Sequence, residues 1–172
     1  IVLWPLVGFL FNGLGRNIWS KRTIAYKATG YIVASFIFSC IAFNHVLTNG
    51  AITVHYFDFI ITGSFKIPFD FKVDALSSLF LLVITGVGTL IHLYSTAYMH
   101  EEENKHYARY FAYLNLFVFS MLLLVLGNNF VIMFIGWEGV GLCSYLLIGY
   151  WFSNANYNYA AKKAFIMNRI GD

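Results

Sequence analysis

Residues 134–150 read Phe-Ile-Gly-Trp-Glu-Gly-Val-Gly-Leu-Cys-Ser-Tyr-Leu-Leu-Ile-Gly-Tyr, an apolar run that contains a single charged side chain, Glu138. From Tyr110 to Ala161, Glu138 is the one Asp, Glu, Lys or Arg among 52 residues. A charge at the centre of a membrane helix costs about 3 kcal/mol on insertion scales, and such residues are usually functional. We therefore predict a functional role for Glu138. The alternative is a carboxylate that only joins helices by hydrogen bonding.

The composition of the chain indicates a membrane protein. Of 172 residues, 59% are hydrophobic and 11% are charged, whereas a soluble domain has about 25% charged residues. Cys40 and Cys143 both fall in apolar runs, where we interpret them as buried apolar side chains. The sequence contains no Gly-rich phosphate loop, cysteine cluster, haem ligand pair or catalytic triad. We therefore expect neither a cofactor nor a metal in this chain.

The distribution of apolar runs predicts an all-α polytopic fold with about six transmembrane helices. The runs are 1–15, 30–48, 75–100, 108–126 and 130–152, followed by a sixth helix that ends, incomplete, at Asp172. About 20 apolar residues are enough to cross a bilayer. Because the chain opens without Met, we expect an N-terminal fragment of a longer protein. We treat residues 1–172 as a single membrane domain.

Between the second and third apolar runs, the spacing of apolar residues changes to every second residue, which predicts a β-hairpin. Residues 65–74 alternate between apolar and polar side chains, and Thr62-Gly63-Ser64 before them is typical of a turn, so we predict a hairpin over 52–72. The loops after helices one, three and five hold eight Lys and Arg, against two in the hairpin. Positive loops face the cytoplasm or the mitochondrial matrix. The hairpin is therefore predicted on the extracytoplasmic face of a bacterial cytoplasmic or mitochondrial inner membrane.

The surroundings of Glu138 favour proton exchange. As the ninth residue of its helix, it lies about 12 Å along the helix axis, close to the membrane midplane. Gly136, Gly139 and Cys143 share one face at helical spacing, which allows a neighbouring helix to approach closely. A covered carboxylate with no cation beside it holds a proton more tightly than an exposed one does. These properties are suited to a proton relay.

The sixth helix carries further candidates. Asp172 lies about a dozen residues into this helix and approaches the midplane, and Arg169, three residues earlier, shares its face. A role for Asp172 in a relay and a local Asp172–Arg169 pair that only neutralises charge both remain open. Lys163 and its neighbour Lys162 are best interpreted as interfacial anchors, with a role at proton uptake as the weaker alternative.

His92 belongs to a polar stripe on the third helix. The stripe, spaced at helical intervals, also contains Ser78, Thr85, Thr89 and Thr96. Such a stripe either lines a hydrated path or joins membrane helices by hydrogen bonds, and we favour the second interpretation.

The sequence resembles a known family over essentially its whole length. The stretches that carry the resemblance are Gly136-Trp-Glu-Gly-Val-Gly-Leu-Cys-Ser-Tyr-Leu-Leu-Ile-Gly-Tyr150, Phe71-Lys-Val-Asp-Ala-Leu-Ser77, Thr85-Gly-Val-Gly-Thr-Leu-Ile-His-Leu-Tyr94, Arg109-Tyr-Phe-Ala-Tyr-Leu-Asn-Leu-Phe117 and Lys163-Ala-Phe-Ile-Met-Asn-Arg-Ile-Gly-Asp172. They are similar to the largest antiporter-like membrane subunits of NADH:quinone oxidoreductase, respiratory complex I.

The resemblance implies a function and a set of partners. It implies a proton-translocating subunit in which Glu138 pairs with a lysine on a helix beyond Asp172, and in which Asp172 is itself a functional charge. NADH oxidation and quinone reduction would occur in partner subunits that hold FMN and iron–sulfur clusters. The other membrane subunits of complex I, including antiporter-like siblings, would be neighbours of this chain. The alternatives are a subunit of a multi-subunit sodium/proton antiporter and a purely structural scaffold.

Overall fold

The computed structural model describes residues 1–63 and 65–172 and confirms the predicted helical architecture with one β-hairpin between the second and third helices. The elements are α1 (Leu3–Leu14), α2 (Lys21–Asn49), β1 (Ile52–Thr62), β2 (Phe65–Val73), α3 (Ala75–Tyr98), α4 (Asn104–Leu126), α5 (Phe130–Ile148) and α6 (Ala155–Gly171). The chain is a multi-pass membrane protein.

Four helices, α2 to α5, are long and apolar enough to cross a membrane. Helix α1 has 12 residues, which gives about 18 Å, less than the roughly 30 Å of a hydrocarbon core. Helix α2 begins at Lys21 rather than near residue 30 as predicted, because Ser20 caps it: the Ser20 hydroxyl accepts a hydrogen bond from the Thr23 backbone N–H (3.4 Å). Basic residues predicted in a loop, including Lys27, therefore lie on α2.

Helix α4 is the centre of the fold and packs against α1, α2, α3 and α5. Its buried residues contribute to two apolar clusters. The first contains Val2, Ile32, Leu81, Val118, Leu122, Leu123 and Leu126, and the second contains Ile24, Ala28, Met99, Tyr107, Ala108, Phe111 and Tyr150. Contacts from four sides explain why α4 is the most buried of the spanning helices.

The two cysteines differ in burial. Cys143 is buried, as predicted, but the interpretation of Cys40 as buried is wrong, because Cys40 is exposed on α2. Large apolar side chains such as Ile37 and Ile41 are exposed on the same helix. In a membrane an apolar side chain loses nothing by facing lipid, so an apolar sequence position does not reveal which way it points.

The hairpin is a two-stranded antiparallel sheet that extends one residue beyond the predicted 52–72, to Val73. Its register shifts twice, between His55 and Phe57 and between Asp58 and Ile60. Gly63 adopts a left-handed backbone conformation, with φ of +59°, as tight turns require. Ser64 of the predicted turn lies outside the described residues.

Strand β2 is hydrogen-bonded to the turn between α4 and α5. The Asn128 backbone N–H donates to the Asp70 carbonyl (3.1 Å), and the Asn129 side-chain Nδ2 donates to the Pro68 carbonyl (2.7 Å). The Oδ1 atom of the same Asn129 accepts from the Ile132 backbone N–H (3.0 Å) and so caps α5. These bonds fix where α5 begins relative to the hairpin.

A capping box at Asp74 begins α3. The Asp74 carboxylate accepts from the Ser77 backbone N–H (2.9 Å), and the Ser77 hydroxyl accepts from the Asp74 N–H (2.7 Å). The bond from the Ser77 backbone, followed by that from its hydroxyl, lowers the pKa of Asp74 below its usual value. Asp74 therefore stabilises α3 fully above about pH 4, and this stabilisation is lost as the pH falls through the lower folded-state pKa.

We expect Asp74→Ala to weaken the first turn of α3 by about 1 kcal/mol at neutral pH, because the cap is lost. Faster hydrogen exchange at the Leu76 and Ser77 amides of the assembled protein measures the effect. Asp74→Asn, which retains an acceptor oxygen, serves as the matched variant and should exchange nearly as slowly as the wild type. Equal exchange rates in Asp74→Ala and wild type would contradict the cap.

Candidate functional site

Helices α5 and α6 form an antiparallel helical pair. The Tyr145 and Phe165 rings lie 5.4 Å apart between centroids. Nearer the connection, a Cβ at Gly149 would lie 3.2 Å from the Ala161 Cβ. The same register places Asp172 on α6 level with Glu138 on α5, and Arg169 about one turn nearer the connection, from where its long side chain reaches Glu138.

Glu138 forms an ion pair with Arg169. The Glu138 side chain is 17% exposed, and that of Arg169 is 44% exposed. The guanidinium also lies over the Phe165 ring, 4.9 Å from its centroid. Glu138 thus has a cation beside it within residues 1–172, in addition to the lysine that the resemblance implies on a later helix.

The structure pairs Asp172 with Trp137 rather than with Arg169. The Trp137 indole Nε1–H donates to the Asp172 carboxylate, while Arg169 reaches across to α5. The local Asp172–Arg169 pair, left open as an alternative, is therefore not formed. The reason is that Glu138 offers Arg169 a more covered carboxylate on the facing helix.

The small residues around Glu138 pack against α4, as predicted. A Cβ at Gly136 would collide with the backbone of Leu124, and one at Gly139 would lie 2.6 Å from the Ser120 hydroxyl oxygen. The Cys143 sulfur lies 4.0 Å from that same hydroxyl. Glu138 is consequently held between two neighbours, with α4 against the small residues and α6 against the carboxylate.

The other two predicted candidates lie away from this pair. His92 is fully buried on α3, where its Nδ1 bonds the Gly88 carbonyl (2.7 Å) and its ring lies 6.1 Å from that of Phe111 on α4. Lys163 is exposed on α6. Within the described ranges 1–63 and 65–172, neither residue contacts Glu138 through an ion pair or hydrogen bond.

The site therefore consists of two carboxylates and one guanidinium on two facing helices, backed by α4. Among the residues that the structure describes, no group of three His, Cys, Asp or Glu is placed to hold a metal ion. An adjacent cation favours the ionised form of a carboxylate, and separating the two favours proton binding. The arrangement therefore has the groups that a cation-dependent proton site requires.

Comparison with known proteins identifies the family. Residues 59–111 match the family described as "NADH-Ubiquinone oxidoreductase (complex I), chain 5 N-terminus", and residues 127–172 match "NADH:quinone oxidoreductase/Mrp antiporter, TM". The chain is 52% identical over 176 residues to NADH-quinone oxidoreductase subunit L of Mycobacterium tuberculosis. The chain belongs to the subunit L/chain 5 family of NADH:quinone oxidoreductase. This confirms the resemblance found in the sequence.

Other members of the subunit L/chain 5 family match the chain throughout. It is 44% identical to subunit L of Pseudomonas aeruginosa, with 99% of this chain and 28% of that protein covered. It is 43% identical to NADH-ubiquinone oxidoreductase chain 5 of Marchantia polymorpha, with 100% and 26% covered. For the M. tuberculosis protein the shares are 100% and 27%. The chain thus spans about a quarter of the length of these relatives.

A solved structure shares the fold of this subunit L/chain 5 segment. It is the membrane-bound sulfane sulfur reductase, an archaeal respiratory membrane complex, with a TM-score of 0.64 at 18% identity. The match covers 96% of this chain and 24% of the other. The helical arrangement is therefore common to proteins of low sequence identity.

Sequence reasoning missed Trp137 as a member of the site, and it named Arg169 without its partner. Trp137 was not proposed as a partner of Asp172, and Arg169 was not proposed as a partner of Glu138. Counting from the ends of the two helices would not have found these pairs, because Trp137 lies 11 residues before Ile148 whereas Asp172 lies 17 residues after Ala155. The register is set by the packing of α5 on α6, which the sequence alone does not show.

Proposed function

We propose that this chain is part of a proton-translocating membrane subunit of NADH:quinone oxidoreductase, with Glu138 as the central proton-carrying group. The observation that supports this most is the ion pair between the largely covered Glu138 and Arg169. The family supplies the context of the enzyme. Asp172, beside Trp137, is proposed as a second proton-carrying group.

The proposed mechanism is a switch of the cation beside Glu138. While a cation lies close, the ionised carboxylate is stabilised, because a nearby opposite charge favours the charged form over the protonated form. When the cation moves away, the carboxylate takes up a proton. Return of the cation expels that proton to the next group of the relay.

Two cations compete for Glu138 in this proposal. Arg169 is in place on α6, and its half-exposed, flexible side chain can leave without unfolding the helix. The lysine implied by the resemblance would come from a later helix. Between the departure of one cation and the arrival of the other, the proton on Glu138 would neutralise the carboxylate, which avoids the cost of an unpaired buried charge.

The remaining parts of the enzyme belong to other subunits in this proposal. NADH oxidation, FMN, the iron–sulfur clusters and the quinone would be held outside this chain, which contributes no redox group. The direct neighbours would be further membrane subunits, including antiporter-like siblings. The membrane would be a bacterial cytoplasmic membrane or the mitochondrial inner membrane.

The second candidate function is a subunit of a sodium/proton antiporter, which the description of the family matched by residues 127–172 also includes. Transport by the assembled complex in proteoliposomes separates the two. NADH-dependent, sodium-independent acidification is the result expected for the oxidoreductase. Sodium-driven proton exchange in the absence of NADH would replace that proposal with the antiporter.

The role of Arg169 is tested by Arg169→Gln, which leaves Glu138 without its present cation. A pair of partly exposed charges is worth up to about 1 kcal/mol, or a roughly fivefold shift in the equilibrium of the site. We therefore expect a severalfold fall in protons moved per NADH oxidised, measured with a pH-sensitive dye inside proteoliposomes.

Two variants on α6 serve as controls for that measurement. Arg169→Lys retains the charge and should preserve most of the pumping. Lys163→Gln removes an exposed charge that forms no ion pair among the described residues and should pump as the wild type does. If Arg169→Gln pumps normally, Arg169 is only an anchor of α6.

A further inference from the structure

The helices α1 to α4 contain polar atoms that are buried and have no hydrogen-bond partner within residues 1–63 and 65–172. Apart from atoms of Asn104 and Arg109 near the start of α4, they belong to four residues, one on each helix. These atoms are both side-chain polar atoms of Asn12, Oδ1 of Asn115, Nε2 of His92 and Oγ1 of Thr29. Asn12, Asn115 and His92 are fully buried. Because buried polar groups in native proteins are almost always hydrogen-bonded, four such residues in one region require an explanation.

The asparagines of α1 and α4 lie within about one helical turn of each other along the bundle. A Cβ at Gly8 would lie 2.9 Å from the Asn115 Cγ, and one at Gly13 would lie 4.0 Å from the Ala112 Cβ. Asn12, next to Gly13 and one turn after Gly8, is therefore level with the turn of α4 that ends at Asn115.

His92 reaches this level from α3. Its ring contacts that of Phe111, and Phe111 is the residue whose carbonyl accepts a hydrogen bond from Asn115 Nδ2 (2.8 Å). The His92 Nδ1 must be protonated, because its partner, the Gly88 carbonyl, only accepts. In the neutral ring Nε2 is then an acceptor, and it requires a donor.

Thr29 completes the layer from α2. The Cγ2 atom of Ile32 would lie 3.7 Å from a Cβ at Gly88, so these two residues face each other. Helices α2 and α3 run in opposite directions, joined by the hairpin. Thr29, about one turn before Ile32, is therefore level with His92, one turn after Gly88.

We propose that this layer binds water in the interior of the four-helix bundle, with Asn12, Asn115, His92 and Thr29 as its polar contacts. Water is the ligand that fits, because it both donates and accepts. It can donate to the asparagine oxygens and to His92 Nε2, and it can accept from Asn12 Nδ2. The layer is separate from the Glu138–Arg169 pair, and the proposal does not depend on proton transport through Glu138.

Radiolytic footprinting of the intact complex tests the proposal. Hydroxyl radicals formed from bound water oxidise the side chains beside it, so Phe111 should be labelled although it is fully buried. The combined variant Asn12→Leu, Asn115→Leu replaces the asparagines by apolar side chains of similar size. We expect it to lose most of the label at Phe111, a severalfold decrease.

Ser39→Ala is the matched control. Ser39 is also fully buried, but its hydroxyl donates to the Ser35 carbonyl (2.8 Å) and needs no water. This variant should keep the native label at Phe111. Loss of label in Ser39→Ala would show that the label at Phe111 does not depend specifically on the polar layer, and it would overturn the proposal.

The native complex decides the matter if the leucine variant does not assemble. An unlabelled Phe111 in the native complex overturns the proposal, as does full labelling in an assembled leucine variant. A map of the native complex at a resolution that shows ordered water should contain density within hydrogen-bonding distance of Asn12 and His92. Absence of such density would also overturn it.

Discussion

Replacing Glu138 by glutamine is expected to remove most of the proton translocation that depends on this subunit, while the complex still assembles. Glutamine matches the shape of the carboxylic acid but neither gains nor loses a proton, and it offers Arg169 no negative charge. Each 1.4 kcal/mol of lost charge stabilisation changes an equilibrium about tenfold. The ratio of protons moved to NADH oxidised, measured in proteoliposomes, should fall severalfold. This is the largest functional effect that we expect of a single substitution.

Two further variants make that result specific. Glu138→Ala removes the side chain and should show the same loss of pumping, together with weaker packing of α6, because Arg169 loses its partner. Glu101→Gln removes a carboxylate from the exposed loop between α3 and α4 and should change neither ratio nor assembly. Normal pumping by assembled Glu138→Gln and Glu138→Ala complexes would leave Glu138 as a packing residue and end the relay proposal.

The largest effect on stability is expected for Gly136→Leu. A Cβ at this position already collides with the backbone of Leu124, and backbone cannot move aside as a flexible side chain can. Overpacking of a well-packed interior costs about 1–3 kcal/mol and sometimes more, and a leucine adds three further carbons. We expect α5 to be forced from α4 and the yield of assembled complex to fall sharply.

Gly141→Ala is the matched control on the same helix. Among the described residues, no atom other than those of its chain neighbours and its own helix backbone lies within 4 Å of its Cβ position. Alanine is also a better helix former than glycine by about 1 kcal/mol. This variant should assemble at least as well as the wild type and melt at an equal or higher temperature. If Gly136→Leu assembles to the same extent as Gly141→Ala, the close approach of α4 and α5 is not needed for the fold.

Helix positions were predictable because apolar runs and charge-free stretches follow directly from the cost of exposing polar groups to lipid. Helix ends were less predictable. The start of α2 depends on the cap at Ser20, a local hydrogen bond that leaves no trace in a hydropathy pattern. The exposure of Cys40 was missed for a related reason, since lipid and protein interior are alike to an apolar side chain.

The site was predicted in part. The spacing of Gly136, Gly139 and Cys143 correctly indicated a closely packed neighbouring helix, because small residues on one face of a membrane helix allow another helix backbone to approach closely. The partner of Glu138 within these residues was not predicted. Arg169 is three residues from Asp172, and proximity in sequence favoured a local pair over one across two helices. Which residues of two helices face each other depends on how the helices pack, and the residue pattern of either helix alone does not reveal it.

The two hydrogen bonds of the Asn129 side chain give the hairpin and α5 a common reference point. One atom of the amide is bound to β2 and the other to the first turn of α5. A displacement of the hairpin must therefore either carry the first turn of α5 with it or break one of these bonds. Glu138 lies about two and a half turns further along α5. A small tilt of the helix at Asn129 therefore displaces the Glu138 carboxylate. The hairpin and Glu138 are thus coupled through the side chain of Asn129.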